Sequence, residues 1–192
     1  MTPLHWLVVF GIYVQQTLLY RPGVEISERS DVAFNTLVIG PLCAFLALAL
    51  GPERYTMTEW NAQQIALSVP LFIVLHDALF WSLHWCMHNL EPLWDIHKQH
   101  HTITALTDGS FAFVAHPIEH ALLNCGTFML PLVLLGVPTE VFFLACFLAV
   151  HSTMRAHNDP KGRHSKHHTL RTVNFGNTKL FDLLFDTEYK DA

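Results

Sequence analysis

Three histidine clusters constrain this chain more than any other feature. They are His84-Trp85-Cys86-Met87-His88, His97-Lys98-Gln99-His100-His101 and His164-Ser165-Lys166-His167-His168. They read HxxxH, HxxHH and HxxHH. Positions three and four apart share a helix face, so the spacing predicts that each cluster aims its rings in one direction. Neutral imidazole is the commonest protein ligand for first-row transition metals. Two metals with about four nitrogens each would use His84, His88, His97, His100, His101, His164, His167 and His168. A lone histidine is usually a surface or satisfied core side chain. Eight rings falling at ligand spacing by independent placement is improbable. The clusters are internal and irregular, which excludes a purification tag.

The rest of the composition points to a lipid environment. Hydrophobic residues make up 51% of the 192 residues and charged residues only 14%, well below the usual quarter. The net charge of -5 gives no basis for binding nucleic acid. Cys43, Cys86, Cys125 and Cys146 lie far apart in mostly apolar stretches. No pair has metal-ligand spacing, so they read as buried free thiols.

Apolar runs at 3–20 and 33–50 are each 18 residues long, just enough to cross a bilayer. The first lacks the basic start and small-residue cleavage site of a signal peptide. Residues 64–88 read as one long helix that starts apolar and ends in His76, Asp77, His84 and His88. Residues 120–136 and 138–152 are two further apolar runs, broken at Gly136-Val137-Pro138, and suggest a hairpin that does not cross fully. His116 and His120 stand where the chain enters this hairpin and His151 where it leaves, so both ends should meet the clusters at one membrane face. With the clusters in the cytoplasm, Arg54 is the only basic residue outside, as the positive-inside rule prefers. The expected fold is therefore all-α: one domain over 1–192, an integral membrane helical bundle with a cytoplasmic histidine-rich helical cap.

Other classes fit these residues less well. A zinc-dependent membrane hydrolase would need fewer histidines, and HExxH is absent. A non-catalytic metal-binding or transport protein would place its ionisable groups near mid-membrane and often show internal repeats, and neither pattern occurs. A haem-binding bundle needs ligands on facing helices rather than dense clusters.

From about residue 70 to 190 the chain resembles the fatty acid hydroxylase/sterol desaturase superfamily. The three boxes occur in the family's order. Ala115-His116-Pro117-Ile118-Glu119-His120 carries its HPxE element, and His76-Asp77 matches its HD element. Asn174-Phe175-Gly176 and Phe181-Asp182 resemble its NYG and WD elements with one aromatic changed in each, and Asp186-Thr187 stands where many members have Gly-Thr. The HPxE element and its distance from the second box look closest to the sterol branch, which includes C-4 methyl oxidases. The resemblance implies a non-haem di-iron site with two irons per chain, dioxygen as co-substrate and a lipid substrate with an unactivated C–H bond. It also implies an external electron donor of cytochrome b5 or ferredoxin type. The chain has no HPGG haem box and no dinucleotide fingerprint of its own.

Within that frame the eight cluster histidines are the expected ligands, with His151 a ninth because it ends an apolar run at the right depth. His157 is open between ligand and support. His116 and His120 have i, i+4 spacing but suit a supporting role, since ligating rings need hydrogen-bond partners on their other nitrogen. Asp77 and Glu119 are the carboxylates best placed to be such partners. Asn174 either orients a ring or makes a turn with Gly176. Trp81, Trp85 and Trp94 either line the substrate entry or anchor the membrane interface.

Overall fold

The computed structural model describes residues 26–50 and 59–190, together with Gly11. The expected span at 3–20 and the loop position Arg54 lie outside the described residues. Helix α1 (Ile26–Phe34) runs through a π-helical segment (Asn35–Ile39) into α2 (Gly40–Leu50). The continuous stretch Ser30–Leu50 is 21 residues long. Helix α3 (Ala62–Asn89) has 28 residues, about 42 Å at 1.5 Å per residue. Asn61 starts it with reciprocal bonds: its side chain accepts from Gln64 N at 2.9 Å, and the Gln64 side chain accepts from Asn61 N at 2.8 Å. Leu90, extended at φ -110° and ψ 116°, ends it. Glu91-Pro92 then opens α4 (Glu91–His97), because proline suits the first turn of a new helix and not the continuation of an old one.

Short α5 (Pro117–Glu119), a second π-helical segment (His120–Gly126) and α6 (Thr127–Leu134) form a third long apolar stretch of 18 residues. Gly136 turns the chain with φ 62°, a left-handed conformation that glycine adopts without strain. Helix α7 (Thr139–Ala156) returns, and α8 (Arg163–Leu170) and α9 (Leu180–Leu184) close the described chain.

The fold is all-α, with three helices long and apolar enough to cross a membrane among the described residues. The hairpin forms where the sequence suggests it. Its first arm, however, begins at Pro117 and reaches spanning length, longer than the apolar run alone implies. Leu67, Val69, Leu71, Ile73 and Val74 on α3 are exposed, an arrangement that suits lipid, where the helix satisfies its own backbone. Phe113, Phe128, Met129, Phe142, Cys146 and Met154 form the centre of the apolar core between α6, α7 and the loop before α5.

Two buried polar side chains bind this core to the cap. Asn35 donates from Nδ2 to Phe113 O at 2.9 Å and Ala115 O at 2.8 Å, which holds the loop entering α5. Pro131 has no N–H, so the Thr127 carbonyl four residues earlier loses its helical partner. His76 Nδ1, from the facing α3, donates to that carbonyl at 3.1 Å. His76 is thus the replacement donor for a proline inside a membrane helix.

His76→Leu should therefore cost about 1–3 kcal/mol, the penalty of a buried unpaired carbonyl, read as a lower thermal midpoint in detergent. Adding Pro131→Ala restores an N–H at that position and should recover most of the loss. A double variant no more stable than His76→Leu would show that the Thr127 carbonyl is not the reason.

Candidate metal centre

The last turn of α3 carries His84 and His88 on one face. His97 ends α4, and His100 and His101 follow on a 3-10 turn (His100–Thr102). His157 caps the C-terminus of α7, and His164, His167 and His168 lie on α8. Nine rings converge into two groups, His84, His88, His97, His101 and His167 in one and His100, His157, His164 and His168 in the other. The groups adjoin, with the rings of His101 and His168 4.5 Å apart.

Only the HxxxH box keeps its rings together. Each HxxHH box sends one or two rings to each group, contrary to the single direction expected from spacing. Neighbouring residues stand about 100° apart around a helix, so His100 and His101, or His167 and His168, cannot face one ion. In the third box His164 and His168 share a face and His167 points to the other group.

Backbone carbonyls set the tautomers. Nδ1 donates to Phe175 O from His84 and to Val173 O from His167, both at 2.7 Å. It donates to Val114 O from His100 at 3.0 Å, to Thr153 O from His157 at 2.9 Å and to Ile103 O from His168 at 2.8 Å. His97 Nδ1 lies 2.9 Å from Glu119 Oε1. A neutral ring that donates from Nδ1 presents a bare lone pair at Nε2.

The Nε2 atoms of the nine rings face one another. Nε2 separations are 3.0 Å for His88–His97, 3.1 Å for His88–His167 and His97–His101, and 3.2 Å for His84–His97 and His101–His167. In the second group they are 2.9 Å for His157–His164, 3.1 Å for His164–His168 and 3.3 Å for His100–His157. Lone pairs this close repel unless a cation lies between them. Nitrogens about 2.1 Å from a metal stand about 3.0 Å apart at right angles and about 3.4 Å apart in a tetrahedron. The groups offer five and four donors, each enough to hold one first-row transition ion.

Burial, reinforced by neighbouring rings, holds the imidazoles neutral. It lowers His97 and His157 to about 3 and pushes His100, His164 and His167 down as well. Neutral imidazole is the form that binds metal.

The remaining expected residues take other places. His151 lies six residues before His157, off its face and about 9 Å back along α7, and belongs to neither group. Residues 152–156 continue α7 beyond His151, so the ring that joins a group is the one at the true helix end, His157. His116 caps α5 by accepting from Ile118 N at 3.2 Å, and His120 is in neither group. Glu119 meets His97, a ring of the first group, but Asp77 meets none of these rings. Asp77 accepts from Thr178 N at 2.6 Å, Thr178 Oγ1 at 2.8 Å and Phe181 N at 3.2 Å, which ties the chain after Phe175 to α3. Asn174 touches no ring. It donates to Arg163 O at 3.1 Å and accepts from Tyr189 N at 2.9 Å.

Asp182 is a positioning residue that the ligand spacing does not reveal. It accepts from Phe175 N, Gly176 N and Arg163 Nη2, each at 2.9 Å, and so sets the carbonyl that orients His84. A Cβ on Gly176 would come 2.8 Å from Thr178 O, 3.0 Å from Asp182 Oδ2 and 3.1 Å from Asp77 Oδ1. Only glycine fits between these two carboxylates. The Asn174-Phe175-Gly176 and Phe181-Asp182 elements are thus one brace.

A cavity of about 540 Å³ opens from both groups, reached by His84 and His97 of one and by His100, His157 and His164 of the other. Its aromatic wall is Phe72, Phe80, Phe113 and Phe128 rather than tryptophan. Trp81 instead stacks on Phe185 at 4.3 Å and donates to Thr187 Oγ1 at 3.0 Å. Trp94 packs against His88 at 5.4 Å.

A helical membrane bundle capped by two adjoining polyhistidine pockets defines the class. The fatty acid hydroxylase family profile matches residues 69–187, and the chain belongs to that family. Fatty acid hydroxylase ahd1 of Mycosarcoma maydis is 25% identical over 167 residues, 81% of this chain and 43% of that protein. Fatty acid hydroxylase domain-containing protein 2 of Homo sapiens is 37% identical over 107 residues, 53% of this chain and 30% of that protein. The chain spans less than half the length of both relatives. No solved structure matches it.

Two outcomes follow from this geometry. His157→Ala should lower the metal content by about one ion per chain while His151→Ala leaves it unchanged, measured by elemental analysis after loading. Equal losses would overturn the assignment of the fourth nitrogen. In metal-free protein, rings near 3 when folded and about 6.5 when unfolded bind more protons in the unfolded chain. Stability should fall below about pH 6.5, seen as a declining thermal midpoint between pH 7 and 5. The many buried rings outweigh the single Glu119 carboxyl, which burial raises to about 8 and which acts in the opposite direction. A midpoint constant over that range would mean that the rings are not buried neutral.

Proposed function

We propose that this chain is a membrane-bound non-haem di-iron oxygenase that hydroxylates or desaturates a lipid, sterol-like or fatty acyl, in lipid biosynthesis. One observation carries the reading: two buried polyimidazole pockets share one largely apolar cavity beside membrane-length helices. Family membership and the names of both relatives support it. The HPxE element favours the sterol branch and its C-4 methyl oxidases.

His84, His88, His97, His101 and His167 would hold one iron, and His100, His157, His164 and His168 the other. Two such irons, with dioxygen and electrons from outside, supply an oxidant for an unactivated C–H bond, and the product is an alcohol or an alkene. The chain supplies everything else. The carbonyls of Val114, Thr153, Phe175, Val173 and Ile103 keep five of the nine rings aimed. Glu119 holds His97. Phe72, Phe80 and Phe128 accept an alkyl body and exclude water.

The electron donor is external, of cytochrome b5 or ferredoxin type. The cap lies in the cytoplasm, where such donors operate. Lys98, Arg155, Lys161, Arg163, Lys166, Arg171, Lys179 and Lys190 then stand on the side that the positive-inside rule favours.

Anaerobic purification with iron supplied during expression should yield about two irons per chain and an oxygen-dependent product from membrane lipids. His100→Ala and His167→Ala should abolish that product. A variant retaining most turnover would sink the ligand assignment. Two firmly held zincs with oxygen-independent lipid hydrolysis would favour a zinc hydrolase instead.

A further inference from the structure

We infer that the cavity is built for a lipid carrying a hydrogen-bond acceptor, such as a hydroxyl, close to the carbon that is oxidised, and that His120 is the residue that recognises it. This rests on the lipid-oxygenase reading and adds the placement of the substrate's polar group.

His120 is 3% exposed and lines the cavity. It belongs to neither metal-binding group. Asn124, one turn on, donates from Nδ2 to His120 Nδ1 at 3.2 Å. An amide nitrogen can only donate, so Nδ1 accepts and the ring proton sits on Nε2. That Nε2–H is buried and has no partner. A buried donor left unpaired costs about 1–3 kcal/mol, and buried polar groups are otherwise almost always satisfied. None of the structural uses that explain the other histidines applies here. His76 replaces a proline's missing N–H, and His116 caps a helix.

Its position fixes what it would meet. Glu119, the preceding residue, approaches His97 at 2.9 Å, so His120 stands at the metal end of the cavity. From there the wall continues as Leu123, Phe128, Met129, Leu148 and Phe72. Phe72 is twelve residues before His84 on α3, about 18 Å along the helix. A hydrocarbon tail fits the far part, and the unpaired Nε2–H of His120 lies at the near part. An alkane would leave Nε2–H without a partner. An alcohol oxygen accepts from it and is thereby held beside the histidine groups. Oxidation then falls within a few bonds of the polar group and not at the distant chain end.

The π-helical turn at His120–Gly126 supports this placement. A π turn carries an extra residue relative to an α turn, which rotates the residues before it relative to those after. His120 lines the same cavity as Leu123 and Phe128.

The test uses metal-free full-length protein in detergent, so that binding is read without turnover. The protein is equilibrated with equimolar 1-hexadecanol and hexadecane, separated from free micelles, and its retained lipid quantified by mass spectrometry. Wild type should retain the alcohol over the alkane by about 3- to 10-fold relative to protein-free micelles, the range of one hydrogen bond. His120→Phe should bring the ratio near one with alkane retention unchanged, and His120→Gln, which keeps a donor, should preserve much of the preference. Refolding is checked by the same metal uptake in all three proteins. A wild-type ratio near one would mean that only water meets Nε2 and would overturn the proposal. So would a preference that survives in His120→Phe. Retention of neither lipid would overturn the lipid cavity itself, a failure distinct from loss of selectivity.

Discussion

The structure depends on nine imidazole Nε2 atoms pointing at each other in two buried pockets. That arrangement is unfavourable in a metal-free chain, and it persists because six of the nine rings are held from behind. Five rings donate to backbone carbonyls and one lies against Glu119. These contacts decide the tautomer, and the tautomer decides which nitrogen is free to bind. Any segment that supplies one of those carbonyls becomes part of the site without touching a metal.

The rest of the chain can be understood from where these carbonyls come from. Val114 O belongs to a loop that Asn35 ties to the first long helix. Phe175 O belongs to a brace held by Asp182 on one side and Asp77 on the other, with Gly176 between them. Thr153 O is one turn before His157 on the returning arm of the hairpin. The membrane helices therefore position the cap through buried polar side chains, each doing a job that a hydrocarbon side chain could not. His76 does the same within the bundle, filling the gap that Pro131 opens.

Much of this was legible in the sequence. The eight cluster histidines, the all-α membrane bundle and the hairpin returning to the cap all follow from spacing and hydropathy, which are local properties. The errors are also local rules applied too far. The i, i+3 and i+4 rule treats each HxxHH box as one face, but adjacent histidines must diverge by about 100°, and the divergence is what makes two pockets of one set of boxes. His151 looked right because the apolar run stops there, whereas the helix goes on through Ser152 and Thr153 to His157. Asp77, in the His76-Asp77 element, reads from the sequence as a ring partner like Glu119. It instead anchors a turn about a hundred residues later, at Thr178.

The sequence by itself determined the chemistry that is available. Clustered imidazoles, apolar spans and scarce charge give the chain ligands that could hold a metal beside helices that could cross a membrane, because side-chain type and periodicity are written residue by residue. Tertiary structure decided which ring joins which pocket, which nitrogen carries the proton and which polar group remains unpaired. Those outcomes rest on carbonyls and carboxylates brought from distant parts of the chain, and no local pattern encodes the direction in which a backbone oxygen will point.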